Sequence, residues 1–229
     1  MIHHLWMKNF GPYESADVEL GGFNVILGTN GSGKSLLFGA LKAIGRIARF
    51  PLRSARPHLD GYPTRTGHVT FDEIVHRCDT SRTMRLGVKF TTKEVSGEYE
   101  VAVGHWHNPG GVVVSERLHA KNALGELKIS AHPDGSLDAE PALSMPTGRF
   151  RTPRVVSIPG LLFRSRDPRE AAIAEQVQKA LSERTTIYRF DPTALKAPAE
   201  VGKALSPTGY NFATYLDQNP KSSGRQAGV

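Results

Sequence analysis

The chain has 229 residues, of which 39% are hydrophobic, and it carries a net charge of +7. This length accommodates one large domain, or one domain with an insert, around a real core. No run of about 18 apolar residues argues for a membrane span, and the N-terminus shows no features of a secretory signal. Cys78 is the single cysteine, so no intrachain disulfide forms, and we expect a cytoplasmic protein with no membrane partner.

The first fifty residues predict two strands, a third strand and a helix. Residues 15–20 alternate polar and apolar side chains, which is typical of a half-buried strand, and residues 2–9 are its expected antiparallel partner. The apolar run FNVIL at 23–27 indicates a central strand covered on both faces. Apolar residues then recur at helical spacing over 33–49, which predicts an amphipathic helix.

Between the predicted third strand and this helix lies GTNGSGKS, residues 28–35, which has the spacing G-x-x-x-x-G-K-S of a phosphate-binding loop. Glycines allow consecutive amides to face a polyphosphate, and the start of the helix adds a positive dipole. We predict that Lys34, the candidate catalytic residue, reaches the β- and γ-phosphates of ATP and that the Ser35 hydroxyl binds Mg²⁺. The predicted nucleotide-binding residues are Gly28, Thr29, Asn30, Gly31, Ser32, Gly33, Lys34, Ser35 and Leu36.

Leu36 stands where many such loops carry a second hydroxyl, so one side-chain contact to the α-phosphate is lost.

The rest of the chain is predicted to form strands first and then mainly helices. Alternation over 86–131 and a turn signal before Leu137 predict a β-rich flank from about 86 to 140. The remaining predictions are loops at 51–68 and 139–153, strands at 154–158 and 185–190, helices at 170–184, 193–196 and 210–217, and a disordered tail at 218–229, after a lobe over 1–217.

Residues 1–50 resemble the N-terminal half of an ATPase head of the SMC, RecF and OLD kind. The resemblance lies in NF near the end of the first strand, the acidic second strand, and NGSGKS followed by LL and AL. It is weaker over TTIYRFDPTALKAP and GYNFATYLDQ. It implies an α/β P-loop NTPase with an ABC/SMC-like head and a mixed sheet, and ATP with Mg²⁺ bound between two subunits. It also implies a homodimer or a complementing ATPase subunit, and work on DNA in repair or anti-phage defence.

The sequence departs from this family in the half that would hydrolyse ATP. LSPTG at 205–209 has proline where the glycines of the signature motif begin. No apolar strand ends in Asp-Glu, and the nearest match, VTFDE at 69–73, contains Thr70 and comes too early. It is interpreted as the end of a surface strand, with an acid on the Mg²⁺ side as the alternative. The head therefore looks incomplete, as a truncated reading frame or one piece of a split ATPase, and hydrolysis is expected only after completion. A small-molecule kinase of the same loop class, or a non-hydrolysing nucleotide-gated regulatory module, are the alternatives.

Other residues indicate weaker hypotheses. Six basic residues and one acid lie over 36–71, and six arginines lie over 149–169, which suits DNA or the docking of a partner subunit. Phe10 and Tyr13 are candidates for adenine contact, with core packing as the alternative. His105-x-His107 is interpreted as a pair of surface histidines rather than as zinc ligands.

Overall fold

The computed structural model describes residues 1–29, 31–49, 71–105, 111–144 and 157–183. The chain divides into two compact units, Met1–Thr185 and Thr186–Val229, and every described residue belongs to the first. Asn30, the loop at 51–68, the elements expected from 184 onward, and half of the basic residues in the two arginine-rich stretches lie outside the described residues. The predicted lobe boundary at 217 and the predicted tail lie outside them as well.

Within the described residues, seven strands form one sheet in the order β2-β1-β3-β4-β5-β6-β7. The strands are β1 (Ile2–Phe10), β2 (Tyr13–Glu19), β3 (Met84–Thr91), β4 (Val95–His105), β5 (Gly111–Asn122), β6 (Gly125–Ala131) and β7 (Leu137–Glu140). The predicted N-terminal pair and the β-rich flank are both confirmed, and they join because β1 pairs with β2 on one side and with β3 on the other. The prediction of a mixed sheet is wrong for the described residues, since every pairing among them is antiparallel.

The apolar run at 23–27 is not a strand, contrary to the prediction. Phe23 and Leu27 are 87% and 86% exposed, and Val25 is 66% exposed, whereas Ile26 packs against the core. A strand covered on both faces needs hydrogen-bonding neighbours. The strand before it in the chain is β2, which lies at the edge of the described sheet and pairs with β1 alone. No described strand pairs with the segment that precedes the phosphate loop.

The described helices cover one face of the sheet. They are α1 (Lys34–Arg49), α2 (Phe71–Ile74), α3 (Ile158–Leu162) and α4 (Pro168–Gln178), and α4 continues into a wider turn at Lys179–Glu183. The predicted helices at 33–49 and 170–184 are confirmed. Helices α1, α3 and α4 contact strands of the sheet and one another. None of these described helices is long and apolar enough to cross a membrane.

The predicted strand at 154–158 is wrong at its described end, because Ile158 begins α3. Ser157 caps this helix by accepting a hydrogen bond from the Gly160 amide at 3.4 Å, and Pro159 occupies the first turn. Side chains of this kind at these positions favour a helix start over a strand. The apolar pattern alone could not separate the two, because it covers only a few residues.

A buried carboxylate joins the sheet to the helical layer. Glu116 on β5 accepts a hydrogen bond from the Tyr99 hydroxyl at 2.7 Å, and its two oxygens accept from the Ile158 amide at 2.8 Å. The end of α1 is held from the same side, because Ser157 and Gln178 both donate to the Ala48 carbonyl. Buried polar groups with satisfied partners fix a unique arrangement. Helix α1 is thus anchored at its C-terminal end, and its N-terminal end carries the phosphate loop.

Candidate phosphate-binding site

The loop at 28–35 folds around two glycines in the left-handed region. Gly31 has φ +82° and Gly33 has φ +90°, which side-chain-bearing residues rarely adopt. The Leu36 amide donates to the Gly33 carbonyl at 2.7 Å and opens the helical pattern of α1. The glycines that the sequence motif requires therefore sit at two sharp changes of chain direction, directly before the helix.

Several main-chain amides lie close together in the loop directly before α1. Among the described residues, the Ser32 amide donates to the Thr29 carbonyl at 3.3 Å, but the amides of Gly31, Gly33 and Ser35 have no main-chain acceptor. The first turn of α1 contains no acidic side chain. Free amides and the positive end of a helix dipole together favour an anion, and no described carboxylate in that turn opposes it.

The Lys34 ammonium lies within the loop. Its Nζ atom donates to the Gly28 carbonyl at 2.6 Å, to the Thr29 carbonyl at 2.5 Å and to the Ser32 hydroxyl at 3.3 Å. An ammonium has three donors, so these three acceptors use its full capacity. Phosphate oxygens carry more negative charge than carbonyl oxygens and make stronger hydrogen bonds to a cation. A bound polyphosphate would therefore compete well for this side chain.

The remaining predicted site residues also lie in the loop or directly beside it. Gly28, Thr29, Ser32 and Ser35 are exposed, and Asn30 lies outside the described residues. A Cβ at Gly28 would lie 2.8 Å from the Ser32 hydroxyl oxygen and 3.7 Å from Cδ of Lys34. A Cβ at the first position of the motif would therefore require the Ser32 side chain to move.

The turn between β1 and β2 packs against the phosphate loop. Sequence patterns did not predict this contact. A Cβ at Gly33 would lie 2.9 Å from both Pro12 Cγ and the Tyr13 hydroxyl. A Cβ at Gly11 would lie 3.0 Å from Leu36 Cδ2. Leu36, which replaces the usual hydroxyl, therefore has a packing role against this turn.

The two aromatic candidates for adenine contact differ in position. Phe10 is buried in the core, so the structure assigns it the packing role that was its alternative. Tyr13 is half-buried, and its hydroxyl lies next to Gly33 of the loop. Of the two aromatic residues, only Tyr13 therefore remains a candidate for contact with the nucleotide.

The acidic residues of VTFDE, at 69–73, lie on a short helix and not at the end of a strand. VTFDE was interpreted as a strand end, but Phe71–Ile74 is the short helix α2. Asp72 Oδ1 lies 3.6 Å from Nε2 of His105, at the end of β4. Among the described residues no cluster of three or more His, Cys, Asp or Glu side chains could hold a metal ion, and His107 is not described.

The comparison with protein families adds independent support for the loop region. The sequence profile of a family described as AAA domain matches residues 4–45, which include β1, β2, the phosphate loop and most of α1. The matched region is less than a fifth of the chain. No curated protein matches the sequence. The matched region supports an AAA-type, ATPase-like nucleotide-binding domain of the P-loop NTPase class, and such domains generally bind ATP with Mg²⁺.

Proposed function

We propose that the chain binds Mg²⁺-ATP through residues 28–36, as the nucleotide-holding part of an ATPase of the SMC, RecF and OLD kind. The observation that carries the proposal is the convergence at one loop of the Lys34 ammonium and of amides that have no main-chain acceptor among the described residues. This arrangement lies inside the region that matches the AAA domain profile. The observed loop suits the polyphosphate of a nucleotide in charge and in donor count.

Each loop residue has a distinct proposed role. Amides of the loop, with those of Gly31, Gly33 and Ser35 foremost, cradle the phosphate oxygens, and Lys34 neutralises charge at the β- and γ-phosphates. The Ser35 hydroxyl, exposed on the first turn of α1, is the proposed protein ligand of Mg²⁺. The metal supplies further charge neutralisation to the phosphates when it is bound.

The wider function rests on the resemblance of residues 1–50 to those ATPase heads. By that resemblance, ATP is held between two subunits, and the resulting head dimer works on DNA in repair or anti-phage defence. The two arginine-rich stretches, over 36–71 and 149–169, supply positive charge suited to a polyanion. Binding of Mg²⁺-ATP is the part of this function that experiments on the isolated chain can address directly.

The exposed segment at 23–27 supports a complementing ATPase subunit as the partner. Phe23, Val25 and Leu27 alternate along the chain and are all exposed, and they form an apolar edge directly before the phosphate loop. The segment contains no charged residue, so a strand of similar apolar character is its complement. Full burial of each such side chain contributes roughly 1.5–3 kcal/mol. We propose that an apolar strand of the complementing subunit covers this edge and completes the surroundings of the loop.

Serine substitutions in this segment distinguish exposed from packed positions. We expect Phe23→Ser with Leu27→Ser to leave the Tm of the isolated chain nearly unchanged, because both side chains face solvent. The matched variant Ile26→Ser should lower the Tm clearly, because Ile26 packs against the core. Thermal unfolding followed by circular dichroism measures both. A large loss in the double variant would mean that the isolated chain already buries these side chains, and the partner proposal would fail.

We expect the purified chain to bind ATP and to hydrolyse it negligibly, because its sequence has neither the signature motif nor an apolar strand ending in Asp-Glu. A phosphate-release assay with excess Mg²⁺ measures turnover, with Lys34→Ala as the control for contaminating ATPases. Robust turnover that Lys34→Ala removes would show that the chain holds its own catalytic carboxylate. Phosphate transfer to an added small molecule would favour the kinase alternative instead.

A further inference from the structure

The turn that supports the phosphate loop is itself held by a second chain segment. Both main-chain groups of Gly11 are used: its amide donates to the Ile74 carbonyl at 2.6 Å, and its carbonyl accepts from His76 Nδ1 at 2.9 Å. Phe10 and Val75 form an isolated antiparallel bridge between these bonds. We call residues 74–76 the turn clamp.

His76 is suited to this role by its burial and its chemistry. The side chain is buried, at 7% exposure. A carbonyl oxygen can only accept, so Nδ1 carries the proton of this hydrogen bond. Breaking this bond would leave a carbonyl without its donor at a closely packed site.

Backbone strain is concentrated at the same junction. Asn9, Arg77 and Cys78 are the non-glycine residues with positive φ in the described part of the chain, at 54°, 57° and 55°. Asn9 immediately precedes the strand end that leads into the turn, and the other two directly follow His76. Such conformations cost about 1–3 kcal/mol each and persist where the surrounding structure over-determines them.

A group of hydrogen-bonded side chains restrains Asn9, one of the three strained residues. Arg82 donates to Asp79 Oδ2 at 3.0 Å and approaches Asn9 Oδ1 at 3.4 Å, while Asn9 Nδ2 donates to the Thr83 carbonyl at 2.9 Å. Hydrogen bonds from Ser81, and then from Arg82, lower the pKa of Asp79, so that carboxylate is ionised near neutral pH. These hydrogen bonds hold Asn9 at the strand end that leads into the turn.

The opposite side of the turn contacts the phosphate loop. Pro12 and Tyr13 lie against Gly33, and Gly11 lies against Leu36. Gly33 and Leu36 flank Lys34 and Ser35, the two residues proposed to hold phosphate and Mg²⁺. A displacement of the turn would thus reach the loop through direct packing, with no intervening flexible segment.

We propose that His76 is a positioning residue for the phosphate loop: its hydrogen bond to Gly11 holds the turn that fixes Gly33 and Leu36. This rests on the proposed function, since it concerns affinity at the same phosphate site. His76 touches no nucleotide in this proposal and acts only through the turn. The imidazole therefore sets how well the loop amides and Lys34 are arranged for a polyphosphate.

Calorimetry with two probes tests the proposal. We expect His76→Ala to weaken ATP about three- to tenfold, the factor that corresponds to one ordinary hydrogen bond. His76→Asn should restore most of the affinity, because the Asn Nδ2 group lies where His Nδ1 lies and can donate to Gly11. Inorganic tripolyphosphate, which has no base or sugar, should weaken in parallel with ATP, because the turn acts on the phosphate loop.

A control variant separates an effect on the phosphate loop from a general loss of protein stability. Ile129→Ala removes a buried side chain on β6, and it should lower the Tm while ATP affinity stays unchanged at a temperature where the chain is folded. Equal ATP affinity in wild type and His76→Ala would overturn the positioning role alone. A loss confined to ATP, or the same loss in Ile129→Ala, would also overturn it. Wild-type protein that binds neither probe would overturn the proposed function together with this inference.

Discussion

Lys34→Ala lowers the affinity for ATP by about a hundredfold or more, to below detection in a calorimeter, if the loop binds phosphate as proposed. The variant removes the one side-chain cation that lies within the loop, where it now contacts Gly28, Thr29 and Ser32. Charge-assisted hydrogen bonds contribute roughly 1.5–3 kcal/mol each, and two of them account for this factor. Titration of ATP with Mg²⁺ into wild type and variant measures the difference.

The control for this variant lies on the same helix. Lys42 is exposed on α1, two turns beyond Lys34, so Lys42→Ala removes an equal charge without touching the loop. We expect Lys42→Ala to bind ATP nearly as tightly as wild type. Equal affinity in wild type and Lys34→Ala would contradict the phosphate site outright. An equal loss in both variants would mean that net charge, rather than the loop, determines binding.

Local sequence patterns correctly predicted those described elements whose formation depends on residues close together in the chain. The alternation at 15–20 and the helical spacing at 33–49 each gave an element close to its observed position, as β2 and α1. The spacing of the glycines and of Lys34 predicted a loop before a helix, and Gly31 and Gly33 have the positive φ that the motif requires. These features depend on residues that are near one another in the chain.

Features that depend on distant partners were not predictable in the same way. The run at 23–27 has the composition of a buried strand, but a strand also needs a hydrogen-bonded neighbour, and no described strand pairs with this run. His76 carries no pattern that marks its bond to Gly11, 65 residues away in the chain. The packing of Leu36 on the turn is equally non-local. Composition therefore identified the apolar segment and the loop, and the contacts between segments required coordinates.

Gly33→Ala is expected to damage both folding and ATP binding, for two separable reasons. The residue has φ +90°, where a Cβ costs about 1–2 kcal/mol, and that Cβ would also lie 2.9 Å from Pro12 and Tyr13. Gly31→Ala is the matched control, because φ there is +82° with no atom within 4 Å of a Cβ. Gly33→Ala should therefore lower the Tm more than Gly31→Ala does.

A second substitution identifies the source of that extra loss. If the turn supports the loop, Tyr13→Ala should recover part of the Tm lost in Gly33→Ala, because it removes two of the three atoms that the new Cβ would meet. Contacting residues commonly show such non-additive effects of about 0.5–3 kcal/mol. Strictly additive losses would mean that the turn moves away freely. The contact between the β1–β2 turn and the phosphate loop would then be too weak to transmit the position of His76 to bound nucleotide.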